Sequence, residues 1–130
     1  LKDTYEVNGT DKYIAYCFHS VEGYSKVGSY EGNANADGTF VYTGFQVAYL
    51  LTKSIDGSYN WYQTDNKSTP INVRDNVLYP DLSVAHGSSW PWVDFLSNGF
   101  KLRTSSSGVN NNTFIYLAFA ESPFKYSNAR

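Results

Sequence analysis

The chain has 130 residues and 14.6 kDa, with 42% hydrophobic, 18% aromatic and 17% charged residues, amounts that suit one domain able to bury roughly two-thirds of its unfolded surface. Ten basic against twelve acidic groups leave a formal charge of −2, so no cationic field is available for a nucleic-acid backbone or an anionic membrane surface. The longest unbroken apolar run, Phe114–Ala120, is seven residues against the roughly 20 a membrane-crossing helix needs, and membrane insertion is not expected.

Twelve Tyr, eight Phe and three Trp, with abundant Val, Ile and Thr, favour strands over helices. Clusters of Gly, Asn, Asp and Ser break the apolar segments at the close intervals of an antiparallel sandwich or barrel. In chain order, strands are expected at Tyr13–His19, Tyr24–Tyr30 and Thr39–Thr43. A hairpin follows, Val47–Ile55 and Ser58–Thr64, turning at Asp56-Gly57. Asn72–Leu78 comes next, then a second hairpin, Trp92–Ser97 and Phe100–Thr104, turning at Asn98-Gly99, and finally Thr113–Ala120.

Both turn dipeptides suit the positive φ angles of a two-residue hairpin. With Asn98 and Gly99 as the loop, Ser97 faces Phe100, Phe95 faces Leu102 and Asp94 faces Arg103. Val93, Phe95, Phe100 and Leu102 then share one face, and Asp94, Lys101 and Arg103 the other, with Leu96 the one apolar intruder. A slip of one residue would expose apolar side chains at about 1.5–3 kcal/mol each. The same count in the first hairpin sets Leu51 opposite Tyr62 and Thr52 opposite Trp61, and both faces there are apolar enough to be covered. The expected fold is all-β: one antiparallel β-sandwich, jelly-roll or lectin-like, spanning residues 1–130.

Cys17 is the single cysteine, so no intrachain disulfide can form and stability must come from packing. Methionine is absent and residue 1 is Leu, and the chain is expected to be an excerpt or C-terminal part of a longer one. Tyr13-Ile14-Ala15-Tyr16-Cys17-Phe18 aligns with Phe114-Ile115-Tyr116-Leu117-Ala118-Phe119, and Tyr24-Ser25 with Tyr126-Ser127. Either two core strands share a β composition, or a unit of about a hundred residues is duplicated in a longer parent.

Motifs for chemistry are sparse. Cys17, His19 and His86 are three soft or imidazole groups where zinc usually takes four. Asn33-Ala34-Asn35-Ala36-Asp37-Gly38 fits the first half of a calcium loop, but Gly44 stands where a bidentate Glu belongs; a plain turn-rich loop is the main reading and a weak oxygen-ligated Ca²⁺ the remainder. No pair of carboxylates sits in an apolar setting of the kind a glycosidase needs. Nucleophile elbows and phosphate-cradling glycine loops are missing. No catalytic, cofactor or metal residues are therefore assigned, and an enzyme is not expected. Ser88-Ser89-Trp90-Pro91-Trp92 places two indoles in a polar loop, so Trp90 and Trp92, with His86, are the candidate contacts for a sugar ring or a partner protein; Trp61, mid-strand, is read as core. Asn8, Asn66 and Asn111 head glycosylation sequons.

Longer blocks carry a resemblance. Residues 13–26 (Tyr13-Ile14-Ala15-Tyr16-Cys17-Phe18-His19 through Lys26), Gly28-Ser29-Tyr30-Glu31-Gly32-Asn33 and Asp37-Gly38-Thr39-Phe40-Val41-Tyr42-Thr43-Gly44-Phe45 resemble a domain recurring in bacteriophage proteins, notably of marine phages. So do Asp94–Arg103 and Ile115–Ser127. The likeness runs from about residue 12 to the C-terminus. It departs after Gly44-Phe45, where an Arg-Pro pair is common and Gln46-Val47 stands, and at Trp90-Pro91-Trp92, where small polar residues are usual. The resemblance implies a structural or adhesive virion component, a tail fibre or a head appendage or decoration, located on the particle. Its partners would be other virion proteins and further copies of itself, with a trimer common in fibres. A carbohydrate-binding module for host-surface glycans is the alternative, and a glycan-degrading enzyme a third reading.

Overall fold

The computed structural model describes residues 9–123. Among them seven strands carry the fold: β1 (Ser25–Glu31), β2 (Phe40–Tyr42), β3 (Val47–Ser54), β4 (Trp61–Asp65), β5 (Val93–Leu96), β6 (Gly99–Leu102) and β7 (Thr113–Ala120). One four-residue helix, α1 (Ser107–Asn110), lies between β6 and β7. The strands form two antiparallel sheets, ordered β1-β7-β3-β4 and β2-β6-β5. The chain is thus an all-β, sandwich-like single domain, as its strand-rich composition and turn spacing predict.

Period-two alternation builds the core. Along β7, Phe114, Tyr116 and Ala118 are buried while Ile115 points outward and is exposed. Opposite on β1, Tyr30 pairs with Phe114, their rings stacked at 5.0 Å, and Gly28 pairs with Tyr116, whose ring fills the space a Cβ would take. Phe100 of the second sheet meets Tyr30 and Tyr116 edge-on at 5.8 and 5.3 Å, joining the two layers through ring pairs worth about 0.5–1.5 kcal/mol each beyond area burial. Val41, Val93, Phe95 and Leu102 complete the second layer's inner face.

On β3, Val47 and Leu50 are both fully buried, although a spacing of three puts residues on opposite faces of a regular strand. The register against β7 shifts between Val47 and Tyr49. The extra residue, Ala48, is a bulge that resets the parity, and its carbonyl accepts the Asn66 N–H at 2.9 Å.

Several sequence expectations are corrected. In the second hairpin Val93 faces Leu102, Asp94 faces Lys101, Phe95 faces Phe100 and Leu96 faces Gly99, so the loop is Ser97-Asn98. The expected register is off by two, an even shift that leaves every side chain on its predicted face: Val93, Phe95, Phe100 and Leu102 are all buried. Asp94 still reaches Arg103, now diagonally, at 3.1 Å. Gly99 serves another purpose than the turn. It opens β6 where the Val41 carbonyl and the Phe40 ring of β2 come so close that a Cβ would collide, and neither Asn98 nor Gly99 has a positive φ.

The first hairpin differs by one residue, which does reverse faces. Leu51 faces Gln63, Thr52 faces Tyr62 and Lys53 faces Trp61; the loop spans residues 55–60. Asp56 is drawn away from a tight turn because its Oδ2 accepts the Thr113 N–H at 2.6 Å, while Ile55 N–H donates to the Thr113 carbonyl at 3.0 Å. Thr52 therefore points inward and Leu51 outward.

Tyr13–His19 is in neither sheet. The reading of the internal likeness as two core strands fails with it, since Phe114–Phe119 is central to a sheet and Tyr13–Phe18 is not. Asn72–Leu78 contributes isolated bridges, Arg74 to Val93, Val77 to Gly87 and Leu78 to Gln63, rather than a strand. Tyr126-Ser127 and the Asn8 sequon lie outside the described residues.

Candidate functional site

The Trp90-Pro91-Trp92 segment enters β5 from the long 66–92 connection, and its two indoles have different fates. Trp92 is fully buried in the core, its Nε1–H directed at the Asn76 carbonyl at 3.4 Å. It is a packing residue with no surface to offer a sugar or a partner. Trp90 is half-buried and stacks on Trp92 with ring centres 6.0 Å apart and planes 10° from parallel. Tyr62 leans on both at 5.7 and 6.4 Å, and Tyr79 meets Tyr62 edge-on at 5.4 Å. Proline between two tryptophans keeps the backbone extended, so residues two apart project the same way.

His86, the third residue singled out in the sequence, is exposed. It lines a hollow of about 360 Å³ with Gln63, Thr64, Asp65, Ser68, Asn76, Val77 and Leu78; neither tryptophan lines it. Most polar groups of this hollow serve the fold. Asp65 Oδ1 accepts the Lys67 and Ser68 N–H groups at 2.7 and 2.8 Å, and Oδ2 accepts the Ser68 hydroxyl at 2.7 Å. Burial raises the Asp65 pKa, but these donors and the Arg74 cation outweigh it and hold the carboxyl below its ordinary value. Asn76 Nδ2 donates to the Ser68 carbonyl.

The Asn33–Asp37 loop likewise uses its oxygens internally. Asn33 Oδ1 accepts from Asn35 N–H and from the Asn110 amide, and Asn35 Oδ1 accepts from Asp37 N–H. Asp37 pairs with Lys101 at 2.6 Å, and that ammonium, through hydrogen bond and charge, lowers its pKa. Among the described residues no group of three His, Cys, Asp or Glu side chains is placed to hold a metal; Cys17 is exposed.

A buried cation stands nearby. Arg74 is only 5% exposed and lies over the Phe95 ring at 4.7 Å. Its Nε and Nη1, and Asp94 Oδ1, are buried without a hydrogen-bond partner in the structure. Burial lowers the guanidinium pKa, against the pull of Glu121, Asp65 and Asp94. Enclosed this far, it has packing and charge-balancing roles rather than open access to a ligand.

The surface best shaped for contact is one the sequence reading did not single out. The outward residues of the four-stranded sheet, Val27, Leu51, Trp61, Ile115 and Leu117, form the floor of a groove of about 440 Å³, and Tyr16 and Phe18 stand over it. Phe18 meets Phe119 edge-on at 6.1 Å; Tyr24 and Tyr49 touch the same ring at 5.7 and 5.8 Å. No lining residue is charged. Ile14 and Tyr16 are 82% and 81% exposed, so this segment shades the groove without filling it. Contiguous apolar surface of this kind marks an interaction site more often than chance. Two expectations are corrected here: Trp61 is not core, and the outer face of the first hairpin is not covered among the described residues, since the observed register sets Leu51 and Trp61 on one outward face with Ile115 and Leu117.

Residues 1–123 match the family described as a domain of unknown function, DUF7483. No curated protein and no solved structure matches the chain. With all but the last few residues covered, the chain belongs to the DUF7483 family.

Proposed function

Within that family, we propose that this chain is a non-enzymatic structural or adhesive component of a bacteriophage particle, a tail fibre or a head appendage or decoration, acting through surface contacts with its neighbours. The observation that carries the reading is the uncharged aromatic groove on the outer face of the β1-β7-β3-β4 sheet. A part that functions by repeated contact needs durable apolar surface rather than a reaction centre. The long blocks resembling phage proteins, Asp94–Arg103 and Ile115–Ser127 among them, supply the particle. The test is position: immunogold labelling of purified particles with antibodies to this chain. Regular labelling of tails or heads supports the reading, and label confined to free protein overturns it.

A carbohydrate-binding module is the second reading. It is favoured by the half-buried Trp90, an aromatic ring backed by Trp92 and Tyr62 in a segment that opens with Ser88 and Ser89, both exposed. On a glycan array, wild type binding that Trp90→Ala abolishes supports it.

A further inference from the structure

We infer that Asn98-Gly99 is a site of spontaneous covalent modification, at which the folded chain converts Asn98 to a main-chain isoaspartate through a cyclic imide. The inference is independent of the contact reading above.

Asn98 has the surroundings this chemistry needs. Among the described residues it is the one Asn followed by Gly, and a residue without a side chain leaves its N–H open to approach. It lies in the two-residue loop Ser97-Asn98 and is exposed. Its side-chain amide makes no hydrogen bond among the described residues, so nothing holds Cγ away from its own main chain. The turn does not account for the Asn either, since residue 98 has no positive φ. The two Asp-Gly pairs are tied down instead. Asp56 accepts the Thr113 N–H and Asp37 pairs with Lys101, and an ionised carboxylate offers no leaving group.

The main-chain carbonyl of Asn98 is the second observation. It accepts two N–H groups at once, from Thr43 at 3.0 Å and from Gly44 at 3.2 Å. Two donors on one carbonyl withdraw charge from the peptide between Asn98 and Gly99. They make the Gly99 N–H more acidic and stabilise negative charge that forms on the oxygen. The attack is intramolecular, so nucleophile and electrophile need no encounter. Gly99 is the first residue of β6, and strand ends open at the lowest cost, which lets its nitrogen turn towards Cγ.

Gly99 N, its proton lost to solvent hydroxide, bonds to Asn98 Cγ. The Cγ–Nδ2 bond breaks, and Nδ2 leaves as ammonia with a proton from water. Water then opens the imide. Addition at the side-chain carbonyl restores the ordinary main chain with an aspartate. Addition at the former main-chain carbonyl breaks its bond to Gly99 N and leaves the chain routed through Cβ, an isoaspartate. The Thr43 and Gly44 N–H groups polarise the latter carbonyl and then hold the new carboxylate by charge-assisted hydrogen bonds, so isoaspartate is the favoured product. Nothing is oxidised or reduced.

The product acts on β6. An extra main-chain carbon enters directly before Gly99, which has no room to yield: even a Cβ on it would collide with the Val41 carbonyl and crowd the Phe40 ring. The modification therefore loosens β2 from β6 and adds one negative charge to a chain of formal charge −2.

The test is prolonged incubation of the folded chain in mildly alkaline buffer, beside the same chain unfolded in urea. Peptide mass spectrometry reads the conversion of amide to acid at each Asn, and isoaspartyl methyltransferase counts the isoaspartate. In the folded chain position 98 is expected to convert ahead of every other described Asn, with a larger isoaspartate share than in the unfolded chain. Asn98→Ala, at an exposed loop position, should lose the signal. The modified form, separated by its added charge, should melt below the unmodified one, while Asn98→Asp, with the same charge on an ordinary main chain, should melt like wild type. A folded chain that stays unmodified at position 98 while the unfolded chain converts overturns the proposal. An isoaspartate share no larger than in the unfolded chain overturns the part given to Thr43 and Gly44, and a modified form that melts with wild type overturns the effect on β6.

Discussion

The side-chain amide of Asn110 donates to Asn33 Oδ1 at 3.0 Å across 77 residues of sequence, from a fully buried position in α1. The same nitrogen lies 2.8 and 2.7 Å from the Asn35 and Thr104 carbonyls, its Oδ1 accepts the Asn33 N–H, and its backbone carbonyl accepts the Ala34 N–H. One side chain thus holds the β1–β2 loop against α1 and the segment leaving β6. Because the Asn35 and Thr104 carbonyls and the Asn33 N–H lose this partner, while Asn33 Oδ1 keeps the Asn35 N–H, Asn110→Ala is expected to cost about 2–4 kcal/mol. The check is the urea midpoint at unchanged slope.

The same contacts bear on calcium. With Asn33 and Asn35 oxygens accepting N–H groups and Asp37 held by Lys101, a cation would have to displace existing bonds. Millimolar CaCl2 is expected to move the melting temperature by less than about 1 °C, since only a ligand that binds the folded state stabilises it. A saturable rise of several degrees would restore the calcium reading.

Gly99 and Asn98 exchange the roles their sequence suggests. Gly99→Ala drives a methyl group into the Val41 carbonyl and is expected to cost about 2 kcal/mol or more by forcing β2 off β6. Asn98→Ala, at a loop position without positive φ, should stay within about 0.5 kcal/mol. Thermal melts of the two variants distinguish this register from one in which Asn98-Gly99 makes the turn, where both would be costly.

What could be read from the residues, and what could not, divides along a physical line. Alternation is local, so the inward set Val93, Phe95, Phe100 and Leu102 was legible, and so was the Asp94–Arg103 pair. Register depends on what the turn touches. Asp56 is taken by Thr113, 57 residues away, and Gly99 answers to Val41 on another strand; neither demand is visible in a dipeptide. The groove stayed hidden because apolar residues on both faces of the first hairpin read as two covered faces and Trp61 as core, and a pattern of apolar residues does not say which face meets another layer. Tyr13–His19 has β composition but joins neither sheet, and composition cannot tell a segment that finds a strand partner from one that does not. Trp92 and Trp90 look alike in sequence, yet only packing against Asn76, Tyr62 and the core separates a buried indole from a half-exposed one. Asn110 carried no signal beyond being one of a polar run, because its partners lie on a distant loop.

Arg74 offers a test of whether its charge or its bulk matters. Its stem and guanidinium fill space over Phe95, while two of its nitrogens lack partners. An apolar side chain of similar volume is often neutral or stabilising in place of a buried ion. Arg74→Met is therefore expected to change stability by less than about 1 kcal/mol, and Arg74→Ala, which leaves a void, to cost about 2–3 kcal/mol. Equal, large losses in both variants would show that the charge itself holds Asp65, Asp94 and Glu121 in place.

Acid should weaken the fold through three carboxylates, Asp37, which Lys101 holds down, Asp56 and Asp65. The Thr113 backbone N–H, with its side chain, holds the Asp56 pKa below the ordinary 3.8. At Asp65 burial pulls the other way, but the Ser68 and Lys67 donors and Arg74 prevail, and its pKa is also lowered. A carboxyl whose folded pKa is depressed binds protons more readily when unfolded, so its contribution is present above the unfolded value and is lost as pH falls through the folded one. Stability is therefore expected to be flat near neutral pH and to decline below about pH 4. Asp56→Asn keeps an acceptor for the Thr113 N–H but removes the titration, so its stability should fall less steeply between about pH 4 and pH 2 than that of wild type. Urea midpoints measured across that range decide it: parallel slopes for the two proteins would mean that the Asp56–Thr113 bond does not discriminate between the charged and neutral carboxyl.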